Sequence, residues 1–205
     1  IVRGNAKQVL FEDEQDYRFF LRILEKYCLE TSVKVCAYCL MENHVHLLVH
    51  DEKQHAPLLM KKLCVTYAIY YNRRYERSGH LFQDRYLSEN IGDDAYFLTA
   101  ARYILNNPYK AGICEASRYP WSSYAQYDSP APFVEVTLLH EMLGGWQRYA
   151  DFIAMPNNDL CLEYDTNRRD DAWAMDVIHK CLGVESGTAL LAYDRSERDE
   201  ALRKL

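Results

Sequence analysis

The feature that most constrains the fold is a pair of β-like runs separated by only two residues. Residues 33–41 are rich in Val, Cys and Tyr, and residues 44–50 read His-Val-His-Leu-Leu-Val-His. Glu42 and Asn43, between the two runs, suffice only for a tight turn, and such a turn joins antiparallel strands. The sequence therefore predicts a β-hairpin in the first quarter of the chain.

The elements around the hairpin predict a particular sheet. Residues 1–11 read as a strand broken at Gly4-Asn5, residues 13–27 as an amphipathic helix, and residues 57–77 as a second helix. A short strand is expected within residues 80–90, followed by a helix over residues 92–107 that Pro108 stops. The order β-α-β-β-α-β-α predicts an α+β fold, with a ferredoxin-like split β-α-β antiparallel sheet and helices on one face.

The character of the sequence changes after the aromatic segment Tyr-Pro-Trp-Ser-Ser-Tyr at residues 119–124. Residues 129–132, Ser-Pro-Ala-Pro, are typical of a linker. Helical patterns follow at residues 137–155, 170–182 and 196–205. We therefore expect one domain over residues 1–127 and an accessory helical region over residues 128–205. Residues 151–176 contain seven acids and two bases, which makes this region a poor DNA surface.

The composition excludes a membrane protein and argues against a simple electrostatic DNA binder. No apolar run approaches the roughly 18 residues that span a bilayer, and the net charge is −6. Residues 56–127 differ, because their nine Lys and Arg against six Asp and Glu can hold a polyanion locally. Seven scattered Cys are typical of free thiols in a reducing cytosol, with a zinc or redox pair at Cys36 and Cys39 as the alternative. We expect a cytoplasmic protein with no membrane partner.

The sharpest chemical signal is the motif His44-Val45-His46. Side chains at i and i+2 of a strand point to the same face, so the two imidazoles lie side by side. Such a pair can ligate a divalent cation. Two histidines on the polar face of an amphipathic strand are the alternative, and the motif alone does not decide between them.

A second signal lies at the end of the helix expected over residues 92–107. Tyr103 and Asn107 are four residues apart and therefore share a helical face. A tyrosine on a rigid helix can be a covalent nucleophile when a neighbouring cation favours its phenolate. An amide oxygen from Asn107 suits Mg²⁺ or Mn²⁺. The alternative is a packing role, because the chain contains 17 Tyr.

Arginine and aromatic residues are interleaved through residues 67–86. Guanidinium groups pair with phosphates and aromatic faces stack on unpaired bases, so this composition is typical of a surface for single strands or hairpin loops. An amphipathic helix with inward Tyr and solvated Arg is the alternative for any one residue. The expected phosphate contacts are Arg73, Arg74, Arg77 and Arg85.

Taken together, these motifs resemble those of the single-tyrosine HUH transposases, and within them the REP-associated tyrosine transposases. In chain order they are His44-Val45-His46, the block of residues 73–86 that contains Ser-Gly-His-Leu-Phe-Gln, and Tyr103-Ile-x-x-Asn107-Pro-x-Lys110-Ala-Gly. Residues 119–124 are similar to that family as well, and the resemblance covers residues 1–127. His80 and Lys110 lie within these blocks and join the expected DNA contacts.

The resemblance implies an enzyme that cuts single-stranded DNA, often beside a hairpin, and rejoins it. His44 and His46 match the pair that binds Mg²⁺ or Mn²⁺, Asn107 the third ligand, and Tyr103 the nucleophile. Attack by the tyrosine leaves a 5′-phosphotyrosine and a free 3′-OH, so no nucleotide cofactor is needed. The implied protein is bacterial and nucleoid-associated, and it acts as a monomer or a homodimer. Members can carry a C-terminal helix-turn-helix, and residues 198–205 resemble the lead-in to one.

Two other functions stay open at this point. A replication-initiator-type nickase shares the histidine pair and the tyrosine chemistry, but such enzymes usually order their motifs differently. A domesticated, non-catalytic DNA- or RNA-binding protein can keep the same sheet, although the presence of every expected active-site residue disfavours it. A covalent protein–DNA adduct formed with Mn²⁺ would separate catalysis from simple binding.

Overall fold

The computed structural model describes residues 1–157 together with Asp159, Cys161 and Lys180. The chain divides into two compact units, Ile1–Glu163 and Tyr164–Leu205. The helices expected at residues 170–182 and 196–205, and with them the expected lead-in to a helix-turn-helix, lie outside the described residues. All of the described residues except Lys180 belong to the first unit.

A three-stranded antiparallel sheet forms the centre of this unit. β1 (Val2–Arg3), β2 (Lys34–Met41) and β3 (His44–His50) lie in the order β1-β3-β2. The predicted hairpin is confirmed, because β2 and β3 pair directly across their two-residue turn, with Met41 opposite His44. This register fixes the side of the sheet that each residue of β3 faces.

The strand expected within residues 80–90 does not form as a regular strand. Residues 81–87 run beside β1, where Asn5 N donates to Leu81 O over 2.8 Å and Leu87 N donates to Ile1 O over 2.9 Å. β1 is only two residues long because a 3-10 turn at Asn5–Lys7 follows it. Residues 81–87 therefore have too short a partner strand to form a regular ladder of hydrogen bonds. The segment nevertheless takes the edge position that a fourth strand would hold.

The described residues contain six α-helices, and the helical pattern expected over residues 137–155 is divided into two of them at Gly144 and Gly145. Asp13 caps the first helix by accepting from Gln15 N over 2.8 Å, and the acids of that first turn favour the positive end of the helix dipole. In chain order the helices are α1 (Glu14–Thr31), α2 (Ala56–Arg74), α3 (Asp94–Leu105), α4 (Asn107–Lys110), α5 (Thr137–Leu143) and α6 (Trp146–Ala154).

The helices cover both faces of the sheet, which corrects the expected placement on one face. α1 and α2 pack against Val35 and Val45, whereas α3 packs with α5 and α6 against Cys39 and Leu48 on the other side. The reason is β2, whose residues 35–41 are all buried, because a strand without a polar face needs cover on both sides. The α+β class with a small antiparallel sheet is confirmed.

α3 ends two residues earlier than expected. Leu105 is its last residue, and Pro108 does not simply stop it. Instead, Pro108 lies in the first turn of α4, where its missing N–H costs no hydrogen bond. Asn107 therefore begins a separate short helix immediately after the helix that carries Tyr103.

The chain after residue 112 covers the outer edge of β2 and adds to both core layers. Leu40 N donates to Trp121 O over 2.9 Å, so the aromatic segment at residues 119–124 lies along this edge. Phe133 joins the core beneath α1 and α2, and Ile153 joins the core beneath α3. The functional division expected at residue 127 stays a prediction. None of the described helices is long and apolar enough to cross a membrane.

Candidate active site

His44 and His46 lie on the face of β3 that α3 covers. Their ring centroids are 4.9 Å apart, with an angle of 78° between the ring planes. His46 is only 4% exposed, whereas His44, at the start of the strand, is partly exposed. The strand thus brings the two imidazoles together, as the i, i+2 spacing predicts.

Asn43 in the hairpin turn orients the His44 ring. The Asn43 amide nitrogen donates to Lys7 O over 3.3 Å, and its Oδ1 accepts from His44 Nδ1 over 2.7 Å. Because Oδ1 can only accept, the proton of His44 lies on Nδ1 and the lone pair on Nε2. Outer partners of this kind fix the tautomer of metal-binding histidines. From the sequence, Asn43 is expected only as a turn residue, although its position directly before His44 is the signal for this role.

Burial keeps His46 neutral. Desolvation lowers the pKa of His46 well below its ordinary value, and the neighbouring His44, the amino terminus and Arg3 lower it further. A neutral imidazole has a free lone pair, which is the form that binds a metal. His46 is therefore in the ligand-competent state throughout the neutral pH range.

Tyr103 lies against His46, the buried member of the histidine pair, within the same chain. Its ring centroid is 5.8 Å from that of His46, with the planes at 68°, and the side chain is 5% exposed. α3 positions it by packing across β2 and β3 on the histidine face. The structure thus brings together three of the four residues expected at the reaction centre.

Asn107 and Lys110 extend the centre from α4. Asn107 is nearly buried, and its Nδ2 donates to Tyr103 O over 2.9 Å, which ties the start of α4 to the last turn of α3. Lys110 Nζ lies 4.3 Å from the centroid of the Tyr103 ring, where a cation is attracted to the aromatic face. Lys110, expected as a DNA contact, is therefore beside the candidate nucleophile.

A cleft of about 730 Å³ opens beside His46 and Tyr103. That volume is typical of a site for a small ligand or a short piece of a larger one. Tyr96 and Phe97 of α3 contribute to its wall, and Tyr96 Oη donates to Glu89 Oε2 over 2.7 Å. Four carboxylates also line the cleft: Asp51, Glu89, Asp93 and Asp94.

The basic stretch does not lie beside the histidines as a whole. α2, which carries Arg73 and Arg74, packs on the opposite face of the sheet. Arg73 is exposed, but Arg74 donates to Asp16 Oδ1 over 2.6 Å and pairs with Asp13 as well. Asp16 is fully buried, so Arg74 neutralises a carboxylate between α1 and α2. A DNA contact by Arg74 stays a prediction, and its contacts indicate a structural role.

Arg77, His80 and Arg85 lie exposed in the loop between α2 and α3. The Arg77 guanidinium carbon is 5.7 Å from the centroid of the Tyr71 ring. The loop then runs along β1, and from Tyr86 onward it lines the cleft. A nucleic acid strand that contacts both the loop and the cleft must therefore follow the β1 edge of the sheet.

The side chains at the centre fit a divalent cation that accepts nitrogen and oxygen ligands. Two imidazoles and the amide oxygen of Asn107 are donors that Mn²⁺ accepts, and the oxygen suits Mg²⁺. Among the described residues, no three His, Cys, Asp or Glu converge so that they could hold a metal. A metal ion held by His44 and His46 would therefore need an amide such as Asn107, or the substrate itself, as a further ligand.

The alternative metal or redox pair at Cys36 and Cys39 gains no support. Both thiols are free and buried. Burial raises the pKa of Cys36 to about 12 and raises that of Cys39 as well. Both residues belong to the core that packs beneath α3, and among the described residues no third His, Cys, Asp or Glu joins them to form a metal site.

A comparison with known protein families identifies the family to which this chain belongs. The family model described as "Transposase IS200 like" matches residues 1–107, which are more than half of the 205 residues. No curated protein and no solved structure matches the chain. The matched part contains the hairpin, the histidine pair and Tyr103, and it ends at Asn107. On this match, the chain belongs to the IS200-like transposase family.

Proposed function

We propose that this transposase cleaves and rejoins single-stranded DNA through a covalent bond between Tyr103 and a 5′-phosphate. The observation that carries the proposal is the contact between Tyr103 and His46, whose ring centroids are 5.8 Å apart in one chain. Phosphodiester transfer of this kind needs a nucleophile beside a group that can hold a metal ion. Membership of the transposase family supplies the substrate class, DNA.

The proposed reaction balances without a consumed cofactor. Tyr103 Oη loses its proton and attacks phosphorus, so that an O–P bond forms. The bond between phosphorus and the 3′ oxygen breaks, and this oxygen keeps the electron pair and takes up a proton. In the reverse step a 3′-OH attacks the phosphotyrosine, Tyr103 recovers its proton, and two DNA ends are joined.

We propose His44, His46 and Asn107 as the residues that hold Mg²⁺ or Mn²⁺. When bound, such an ion supplies positive charge that polarises the scissile phosphate. Asn43 orients His44 so that Nε2 carries the lone pair. The Asn107 Nδ2 is committed to Tyr103 O, so Oδ1 is the atom that Asn107 would offer as a ligand.

We also propose that the substrate contains a hairpin and that the enzyme acts as a monomer, as in the REP-associated branch. The aromatic segment at residues 119–124 supports that branch. The exposed loop offers the cations Arg77 and Arg85, and with them the His80 imidazole, as contacts for the phosphates of a hairpin. The histidine pair and the tyrosine occur together in one chain, which supports a monomer as the active form.

A covalent-adduct assay tests the proposed function. The protein is incubated with Mn²⁺ and labelled single-stranded oligonucleotides, half of the pool with randomised hairpins and half without, and adducts are separated on a denaturing gel. We expect an adduct from the hairpin pool, with the DNA on Tyr103 by peptide mapping. Tyr103→Phe should lose it, and Tyr96→Phe, the same change seven residues earlier on α3, should keep it. No adduct with either pool, or one that persists in Tyr103→Phe, would refute the proposal.

A further inference from the structure

Two cationic side chains beside Tyr103 both contact Asp159. Arg102 Nε and Nη2 donate to the two carboxylate oxygens of Asp159 over 2.6 and 2.9 Å. Lys110 Nζ donates to the backbone oxygen of Asp159 over 2.7 Å while it lies over the Tyr103 ring. Asp159 thus occupies a point where two positive charges converge next to the candidate nucleophile. Neither Arg102 nor Asp159 is part of any motif described above.

The contacts of Arg102 have the geometry of an anion site. Its guanidinium offers two N–H donors to two oxygens of one group, the fork with which arginine holds carboxylates and phosphates alike. The guanidinium carbon lies 4.5 Å from the centroid of the Phe152 ring, which holds the group in place. The Arg102 side chain is only 16% exposed, so water screens its charge less than it screens that of a surface arginine.

We propose that Arg102 and Lys110 form the binding site for a DNA backbone phosphate near the scissile phosphate, and that Asp159 occupies this site in the DNA-free chain. The inference rests on the proposed function and adds a substrate contact to it. A phosphodiester presents two non-bridging oxygens to the Arg102 fork, as the Asp159 carboxylate does. Entry of the strand then releases Asp159 from both cations.

The surrounding charges favour this assignment over an ion pair that serves the fold alone. The cleft wall carries carboxylates, which repel a phosphate, and Arg102 and Lys110 are the only basic residues in α3 and α4. On the two helices that carry Tyr103 and Asn107, these two cations are therefore the basic side chains that can attract a phosphate. Asp159 itself belongs to residues 151–176, which contain seven acids against two bases. A segment with this negative charge can compete with DNA for the same cationic side chains.

Asp159→Asn tests the site, with Asp151→Asn as the matched control. The control removes the same charge from an exposed residue of α6 whose side chain contacts Gln147. Affinity for a fluorescent single-stranded oligonucleotide is measured by anisotropy over a salt series. We expect Asp159→Asn to bind about fivefold more tightly than the control, which corresponds to ~1 kcal/mol. Arg102→Gln and Lys110→Gln should each reduce the salt slope by about 0.7.

The outcomes separate this inference from the proposed function. If Asp159→Asn binds no more tightly than Asp151→Asn, the phosphate site is refuted, even when the wild type still forms its adduct on Tyr103. If the wild type neither binds the oligonucleotide nor forms an adduct, both proposals fail. Should Asp159→Asn not fold, Lys110→Gln decides alone, because the exposed Lys110 can be changed without loss of the ion pair. An unchanged salt slope in that variant would overturn the site.

Discussion

Mixing two inactive variants will decide whether one chain forms the whole active site. His46→Ala removes a candidate metal ligand, and Tyr103→Phe removes the hydroxyl of the candidate nucleophile. The two rings contact each other within one chain, 5.8 Å apart. Neither chain of the mixture then contains both groups, so we expect an equal mixture to form no covalent adduct.

A dimer that shares its sites between chains would give a different and calculable yield. If the chains exchange at random, about half of the dimers contain one copy of each variant. Each mixed dimer has one site with both functional side chains and one site with neither. The mixture should then retain about a quarter of the wild-type adduct yield, which a gel assay readily distinguishes from zero.

The control is an equal mixture of wild type and Tyr103→Phe, which should give about half of the wild-type yield under either arrangement. Both variants must also be folded. Because His46 is 4% exposed, His46→Ala leaves a cavity, and we expect it to lower the free energy of unfolding by about 1–3 kcal/mol. A yield near one quarter in the mixture of variants would refute assembly of the site within one chain, and with it the proposed monomer.

The remaining predictions concern the metal, the arginines and pH. Replacing His44 and His46 together by Ala, or adding a chelator, should abolish the adduct with an unchanged circular dichroism spectrum; unaltered Mn²⁺ dependence would contradict the ligand assignment. Arg73→Ala should flatten the salt dependence of DNA binding by about 0.7, whereas Arg74→Ala should lower the melting temperature because Asp16 loses its cation; equal melting temperatures would refute this distinction. Hydrogen bonds from Arg74 and Lys62 hold the pKa values of Asp13 and Glu30 below their ordinary range. The pKa values of these two carboxyl groups in the unfolded chain are near 4. The stabilisation of the fold by the two ionised carboxylates is therefore present above about pH 4, and it is lost as the pH falls through their lower pKa values in the folded chain. Melting temperatures measured as a function of pH would detect this loss.

The hairpin and the common face of its histidines could be predicted because both follow from local rules. Alternation along a strand and a two-residue turn require no knowledge of the remaining chain. The observed strand His44–His50 has the predicted bounds. The end of α3 was harder to place, because Pro108 is accepted in the first turn of a new helix as readily as it ends an old one.

Features that depend on distant partners could not be predicted in the same way. Residues 80–90 have a local strand pattern, but their pairing depends on β1, which the turn at Asn5–Lys7 shortens to two residues. Helices on both faces do have a signal, the unbroken apolar run of residues 35–41. The prediction of helices on one face came from the order of the elements alone. It was wrong because a strand that is apolar on both sides needs cover on both sides.

Neighbouring residues of one type also acquire different roles through the fold. Arg73 and Arg74 are adjacent and chemically identical, yet Arg73 is exposed whereas Arg74 donates to Asp16, a residue 58 positions earlier. No local pattern relates two residues at such a distance. The same holds for Arg102 and Asp159, whose contact joins the helix of the candidate nucleophile to the acidic part of the chain.

The helices place the Asp16–Arg74 ion pair and the candidate active site on opposite faces of the sheet. α1 and α2 share one face of the sheet, where Arg74 and Tyr70, both partly buried, donate to the fully buried carboxylate of Asp16. The histidines, α3 and the cleft share the other face. Because β3 contributes alternate side chains to each face, a substitution at Val45 should change stability first, whereas one at His46 should change both stability and adduct formation. The sheet is thus the element through which the two layers are coupled, and its two-residue turn sets the register that keeps the histidines on the face covered by α3.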